Sequence, residues 1–305
     1  PRQWGAESAP YCLGKYGRSA MLAGEWLGLE PTHNPHRWML PVTPGVATGG
    51  GFLFGGCGLG AAIAALEGTT GRPVVWATSQ YLSHALVSSV VDIDVTIAVS
   101  GHRVTQARAV AHVADREILT VNAALGQRSF DTDGQWEQMP PDVPPPDDCP
   151  PRGYRRGSEE SIMRRLDVRL ARARDFSEFD RSPGDGSCSL WARVPDLLEP
   201  SAASLAILGD YVPFGVSQVL GDFVGGTSLD NTLRVARLTA SEWVLCDVRV
   251  HAMRNGFAHG LVHLWAEDGT LLAIASQSCI VRRWRSEEVD TIRANLRGER
   301  EEATP

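Results

Sequence analysis

The sequence predicts an α+β fold built as two repeats of one plan, each a long apolar helix wrapped by an antiparallel sheet. Three observations carry this. A proline-dense stretch, "QMPPDVPPPDDCPPRG" (138–153), falls near the midpoint of the 305 residues. Prolines at that density fit neither a helix interior nor a sheet, so the stretch reads as an extended, semi-rigid linker. Each half then contains one helix-length apolar run, and each run is followed by four strand-like segments.

The first half begins with a candidate strand, "HRWMLPVT" (36–43), and its helix runs from Phe54 to Leu66. Four strands follow: 74–83, 89–100, 102–113 and 116–127. In the second half "IMRRLDVRLARA" (162–173) is the candidate first strand, and "SLAILGDYVPFGVSQVLG" (204–221) reads as one continuous buried helix. Its strands are 226–237, 242–253, 256–267 and 270–284. Alternation supports these assignments: in "GLVHLWAE", Leu261, His263 and Trp265 share one face, and Val262 and Leu264 the other. The joins at Ser100-Gly101, Asn255-Gly256 and Asp268-Gly269 have turn chemistry. A helix this apolar has to be enclosed by its own sheet, which is the hot-dog layout, here doubled in one chain. The expected division is an N-terminal hot-dog domain (1–137), the linker (138–157), a C-terminal hot-dog domain (158–285) and a charged tail (286–305).

Composition excludes several classes. The net charge of −7, with no basic stripe, argues against a nucleic-acid partner. No run approaches the roughly 20 apolar residues of a membrane span, and the first residues lack a basic-then-apolar signal layout. The six cysteines (Cys12, Cys57, Cys149, Cys188, Cys246, Cys279) are scattered without a CxxC, which points to free thiols in a reducing cytoplasm. There is no GxSxG elbow for a serine hydrolase, and "GGGFLFGGCGLG" (49–60) fits neither GxGxxG nor a P-loop. Its glycines suit close helix packing and free N–H groups at a helix start. His259 and His263 are about 13 Å apart on a strand at ~3.3 Å per residue, too far to share a metal. No metal and no cofactor are expected.

One residue does not fit the bland reading. Asp210 is the sole charge between Ser204 and Gly221. A carboxylate in such a setting costs several kcal/mol unless it is answered, and desolvated acids concentrate at active sites. The first-half helix has no acid before Glu67, so one active site per chain is expected.

With these residues assembled, the chain resembles the TesB-like acyl-CoA thioesterase II family of double hot-dog proteins from about Leu22 to Arg283. The segments that carry the resemblance are "FGGCGLGAAI" (54–63), "SLWAR" (189–193), "LAILGD" (205–210), "GTSLDNTLRV" (226–235), "EWVLCDV" (242–248) and "DGTLLAIASQ" (268–277). The resemblance implies hydrolysis of acyl-CoA to free acid and CoA by a water held between an aspartate, a hydroxyl residue and a glutamine. Carried over, these are Asp210, Ser228 and Gln277. Thr227, on the opposite face of its strand, is the poorer hydroxyl candidate. The backbone N–H groups of Gly55 and Gly56 at the first helix start are candidates to polarise the thioester carbonyl. The site would then draw on both halves.

The chain departs from the family at Asp230-Asn231, where the family has Asp-His, at "LRVARL" and "YLSHALVSS", which replace segments ending in Arg-Pro, and at Ser278, where a glutamate is usual. These changes bear on substrate identity. Two other readings stay open: a hot-dog enoyl-thioester hydratase or dehydratase, though its Gly-Asp-x-Asn-Pro-x-His segment is missing, and a non-catalytic acyl-thioester-binding protein. The expected partners are the acyl-CoA substrate and, through exposed sheet faces such as "HGLVHLW", further copies of the chain as a dimer or tetramer.

Overall fold

A computed structural model describes residues 22–153, 160–195, 200–284 and Val289. Apart from Val289, the expected charged tail lies outside the described residues, as do linker residues 154–157. Twelve strands form one antiparallel sheet in which the chain's two halves lie side by side. The first half contributes β1 (Glu30–Pro31), β2 (Arg37–Pro41), β3 (Val74–Tyr81), β4 (Val90–Ser100), β5 (Val104–Val113) and β6 (Arg116–Gly126). The second contributes β7 (Asp167–Arg172), β8 (Ser187–Arg193), β9 (Val224–Val235), β10 (Val244–Arg254), β11 (Phe257–Ala266) and β12 (Leu271–Arg283). The strand order is β1-β2-β4-β5-β6-β3-β9-β12-β11-β10-β8-β7, so the halves meet at β3 and β9. At the centre of that seam Thr78 lies opposite Thr232, with their hydroxyls 2.6 Å apart.

The meanders follow the alternation of the sequence. Asn255 and Gly256 both take positive φ, 54° and 78°, which a two-residue hairpin between β10 and β11 requires. One expectation is corrected at the start of the second half. Residues 162–165 are helical (α3, Ile162–Arg165), and the strand that pairs with β10, as β2 pairs with β4, is the tryptophan-bearing β8. β7 is an added edge strand beyond it.

The helices lie on the inner face of the sheet. A short α1 (Ala23–Leu27) precedes α2 (Gly55–Thr70), which is buried from Gly56 through Leu66 save one partly exposed residue, Ala64. The second-half helix is not continuous. It is broken into α4 (Ala202–Leu208) and α5 (Val212–Leu220), with Gly209, Asp210 and Tyr211 between them. The cause is local: Pro213, in the first turn of α5, has no N–H to offer the Gly209 carbonyl, and its ring opposes a helical turn there. Asp210 therefore sits in a helix break and not in mid-helix. Together these helices (Ala202–Leu220) make a stretch long and apolar enough to cross a membrane, contrary to the sequence reading, and 83% of its apolar window is buried in the protein.

The proline-rich segment does more than bridge. On the outer face of the second half, Trp191, Leu245, Trp265 and Leu271 form a small second core with Trp243 and Cys149. Met139 and Val143 of the linker pack on it, and the Trp191 indole donates to the Pro144 carbonyl at 2.9 Å. Trp265 of "HGLVHLW" is 1% exposed, so that face is partly covered by the chain itself and is less free for a second copy than the sequence suggests.

Candidate active site

α2 begins without a side-chain cap: its N-cap residue is Phe54. Four N–H groups at a helix start need acceptors from elsewhere. The other half of the chain supplies one. Asp210 Oδ2 accepts from the Gly56 N–H at 2.7 Å. The carboxylate thus takes the place of a capping residue and lies at the positive end of the helix dipole. The approach depends on glycine. A Cβ on Gly55 would stand 2.8 Å from Asp210 Oδ2, and one on Gly56 would stand 2.9 Å from Ala206 O and Ile207 Cα.

The second answer to Asp210 comes from β12. Gln277 Nε2 donates to Asp210 Oδ1 and also, at 2.6 Å, to Ser228 Oγ. Both hydrogens of this amide are thereby used, and Gln277 Oε1 is buried without a partner. Ser228 arrives through a β-bulge. Cys279 lies opposite Ser228 and Ser278 opposite Asp230, so Leu229 is the extra residue in β9. The bulge turns Ser228 to the inner face that also carries Asn231; strict alternation would have put the two on opposite faces. The Asp230 carboxylate holds the Ser278 N–H at 2.8 Å beside the bulge. Thr227 is exposed.

Asp210, Gln277 and Ser228 therefore converge. Gly56 joins them as the anchor of the carboxylate, so its N–H is engaged and not free. Gly55 lies beside it at the helix start. Asp210 is 6% and Gln277 2% exposed. Burial pushes the Asp210 carboxyl up to about 7, against the lowering effect of the bonds from Gln277 and Gly56.

Three side chains that the sequence did not single out for the site line the same space. Asn231 lies opposite Gln277 on one side and Ser79 on the other. Each is 1% exposed, and the Asn231 amide and Ser79 hydroxyl have no hydrogen-bond partner. Tyr81 follows two residues along β3, its hydroxyl also buried and without a partner. The phase of β3 alternation was the available signal: it places Ala77, Ser79 and Tyr81 on one face. Cys57 and Cys279 lie close enough to feel the Asp210 charge, and burial raises both thiols, Cys279 to about 11, so neither is a ready thiolate nucleophile. Among the described residues no group of three metal-ligating side chains comes together. A hollow of about 520 Å³ is lined by Thr78, Gln80, Asn122 and His259 together with Ser79 and Asp230 from beside the site, but by none of Asp210, Ser228 or Gln277.

This arrangement can hold a water as acceptor of the Ser228 O–H and donor to Asp210 and Gln277 Oε1, beside a base poised near neutrality.

Comparison with known proteins agrees with the fold. A family profile described as acyl-CoA thioesterase C-terminal domain matches residues 146–281. A structure from Novosphingobium aromaticivorans, named as a proposed thioesterase, is 33% identical, with 83% of this chain and 98% of that one covered and a TM-score of 0.74. A hot-dog protein of unknown function from Alicyclobacillus acidocaldarius is 20% identical over 86% of this chain and 98% of its own, TM-score 0.74. An acyl-CoA thioesterase II from Mycobacterium marinum is 21% identical over 87% and 100%, TM-score 0.66. At those identities the last two speak to the fold alone. No curated protein matches the sequence.

Proposed function

The chain belongs to the TesB-like acyl-CoA thioesterase family of hot-dog proteins, and from that premise we propose that it hydrolyses acyl-CoA to a free acid and CoA, with Asp210, Ser228 and Gln277 holding the attacking water. One observation carries the reading: a buried carboxylate is shared between Gly56 N–H and a glutamine amide that also binds a serine hydroxyl.

The parts divide as follows. Ser228 and Gln277 Oε1 orient the water. Asp210 takes its proton as the oxygen attacks the thioester carbon. The carbonyl π pair moves onto oxygen, where Gly55 N–H at the α2 start is a candidate donor. Collapse of the intermediate expels the CoA thiolate, which recovers the proton from Asp210. The acid and the thiol leave, and the site is restored. Free cysteines throughout the described residues suit the reducing cytoplasm proposed for it.

The test is CoA release from a series of acyl-CoAs of rising chain length. Wild-type protein is expected to release CoA, and Asp210→Asn to lower kcat by about 10²-fold or more, the scale of a lost general base. Normal turnover by a folded Asp210→Asn protein removes Asp210 from the mechanism. Acyl-CoA binding without release would leave a binding protein, and hydration of an enoyl-CoA without CoA release would leave a hydratase.

A further inference from the structure

The oxyanion of thioester hydrolysis needs donors aimed at it, and they act best when they are preorganised and desolvated. The Gly56 N–H is committed to Asp210. That leaves the Gly55 N–H from the helix start, and, of the buried polar side chains Ser79, Asn231 and Tyr81, it is Tyr81 whose hydroxyl is placed against Gly55. The Tyr81 hydroxyl is buried and makes no well-formed hydrogen bond; the Ser79 hydroxyl, two residues back along β3, is its polar neighbour. Buried hydroxyls nearly always find a partner, so an unanswered one beside a reactive carboxylate calls for an explanation. Its position is defined by Gly55. The point a Gly55 Cβ would occupy is 3.2 Å from Tyr81 Oη and 2.8 Å from Asp210 Oδ2. Tyr81 thus stands over the start of α2, with Asp210 across the same glycine.

Resting on the thioesterase reading above, we propose that Tyr81 is a catalytic residue whose hydroxyl donates to the thioester carbonyl oxygen as negative charge develops there. It comes from β3 of the first half, whereas Asp210, Ser228 and Gln277 come from the second. When water attacks and Asp210 takes its proton, the carbonyl electron pair settles on oxygen between Tyr81 Oη–H and Gly55 N–H. When the C–S bond breaks, that pair re-forms the carbonyl and the donors are released unchanged. Burial and the Asp210 charge both raise the phenol's pKa, so it remains a neutral donor throughout the working range. Ser79 Oγ lies near the hydroxyl without closing a well-formed hydrogen bond, which leaves it available for substrate.

The test is Tyr81→Phe, which keeps the ring and removes the O–H alone. The lost hydroxyl makes no well-formed hydrogen bond in the free protein, so thermal melting should be unchanged or raised. Against hexanoyl-, decanoyl- and palmitoyl-CoA we expect kcat to fall by about 10²–10³, the scale of one lost oxyanion donor. KM should stay within about threefold. A merely structural role is separated by binding. A ketone analogue with CH₂ in place of sulfur should bind Tyr81→Phe about fivefold more weakly than wild type, the scale of one net hydrogen bond. An S-alkyl-CoA, which has no carbonyl, should bind both equally. Turnover by Tyr81→Phe within about threefold of wild type, with Asp210→Asn inactive, overturns the Tyr81 assignment alone, as does an equal loss with the S-alkyl ligand. Failure of folded wild type to release CoA from any substrate overturns the thioesterase reading, and this proposal with it.

Discussion

Asp210 shows how one side chain combines cost and use. Burial raises its pKa to about 7, so the folded protein holds the proton more tightly than the unfolded chain does. The sign follows by linkage. This contribution to stability is complete below about pH 4, declines as pH rises, and is gone once pH has passed about 7. At neutral pH the charged carboxylate is therefore a liability, by a few kcal/mol at ~1.4 kcal/mol per unit. Asparagine has no charge to bury, and Gln277 can turn its amide to match it. Asp210→Asn should thus be more stable than wild type at pH 8 and equal to it near pH 4, as read from urea melts at both. A gap that does not change with pH would contradict the burial argument. The same group should set the acid limb of activity. Below about pH 7, kcat/KM should fall about tenfold per unit as the base is protonated.

The helix break and the strand bulge are what aim these side chains. A continuous helix from Ser204 would have kept the Asp210 backbone in a regular turn; the break lets its carboxylate reach the start of α2. α2 and α4 also approach closely, because Gly56 and Gly60 face the backbone of α4. Gly56→Ala would force a methyl to 2.9 Å from Ala206 O and Ile207 Cα. Overpacking of this kind costs about 1–3 kcal/mol. It would also move the Gly56 N–H away from Asp210. We expect a lowered urea midpoint together with a lowered kcat. Unchanged values for both would mean that the crossing is looser than described. Gly209 and Pro213 are local break signals that the reading of 204–221 as one continuous helix passed over. The bulge at Leu229 had no comparable signature, because an extra residue in a strand leaves its composition unchanged.

The whole molecule is an approximate two-fold pair whose two sides differ in chemistry. Gly56 and Asp210, which touch, are 154 residues apart, as are Thr78 and Thr232 at the seam. The spacing makes the first-half glycine the counterpart of the second-half acid. Across the sheet the row Gln277–Asn231–Ser79 is polar and buried. The matching row, Ala123–Ala77–Leu233, is apolar and belongs to the main core. One side of the pair buries polar groups and the other packs apolar side chains. The linker adds a further asymmetry by covering the outer face of the second half. Trp265→Ala should remove the centre of that cover and cost about 3–5 kcal/mol. The expected result is a lower urea midpoint with kcat within about threefold of wild type, since Trp265 faces away from the helices. Loss of activity without loss of stability would point to coupling between the outer face and the site.

Most strands and the first helix were legible in the residues, because alternation and apolar runs are local signals that survive into the fold. The β3, β6, β10 and β11 boundaries fall within two residues of those expected. Asp210, Ser228 and Gln277 could be named from a family resemblance, yet nothing local says that they meet. Their meeting depends on a helix break, a bulge and a capping contact across 154 residues. The same holds for Tyr81, Ser79 and Asn231. Each is an ordinary strand residue on its own, and becomes part of the candidate site because β3 and β9 pair at the seam and bury their inner faces under the helices. A pattern in sequence reports which face a side chain occupies. What stands opposite that face is set by long-range pairing, and that pairing decides what the buried polar groups can do.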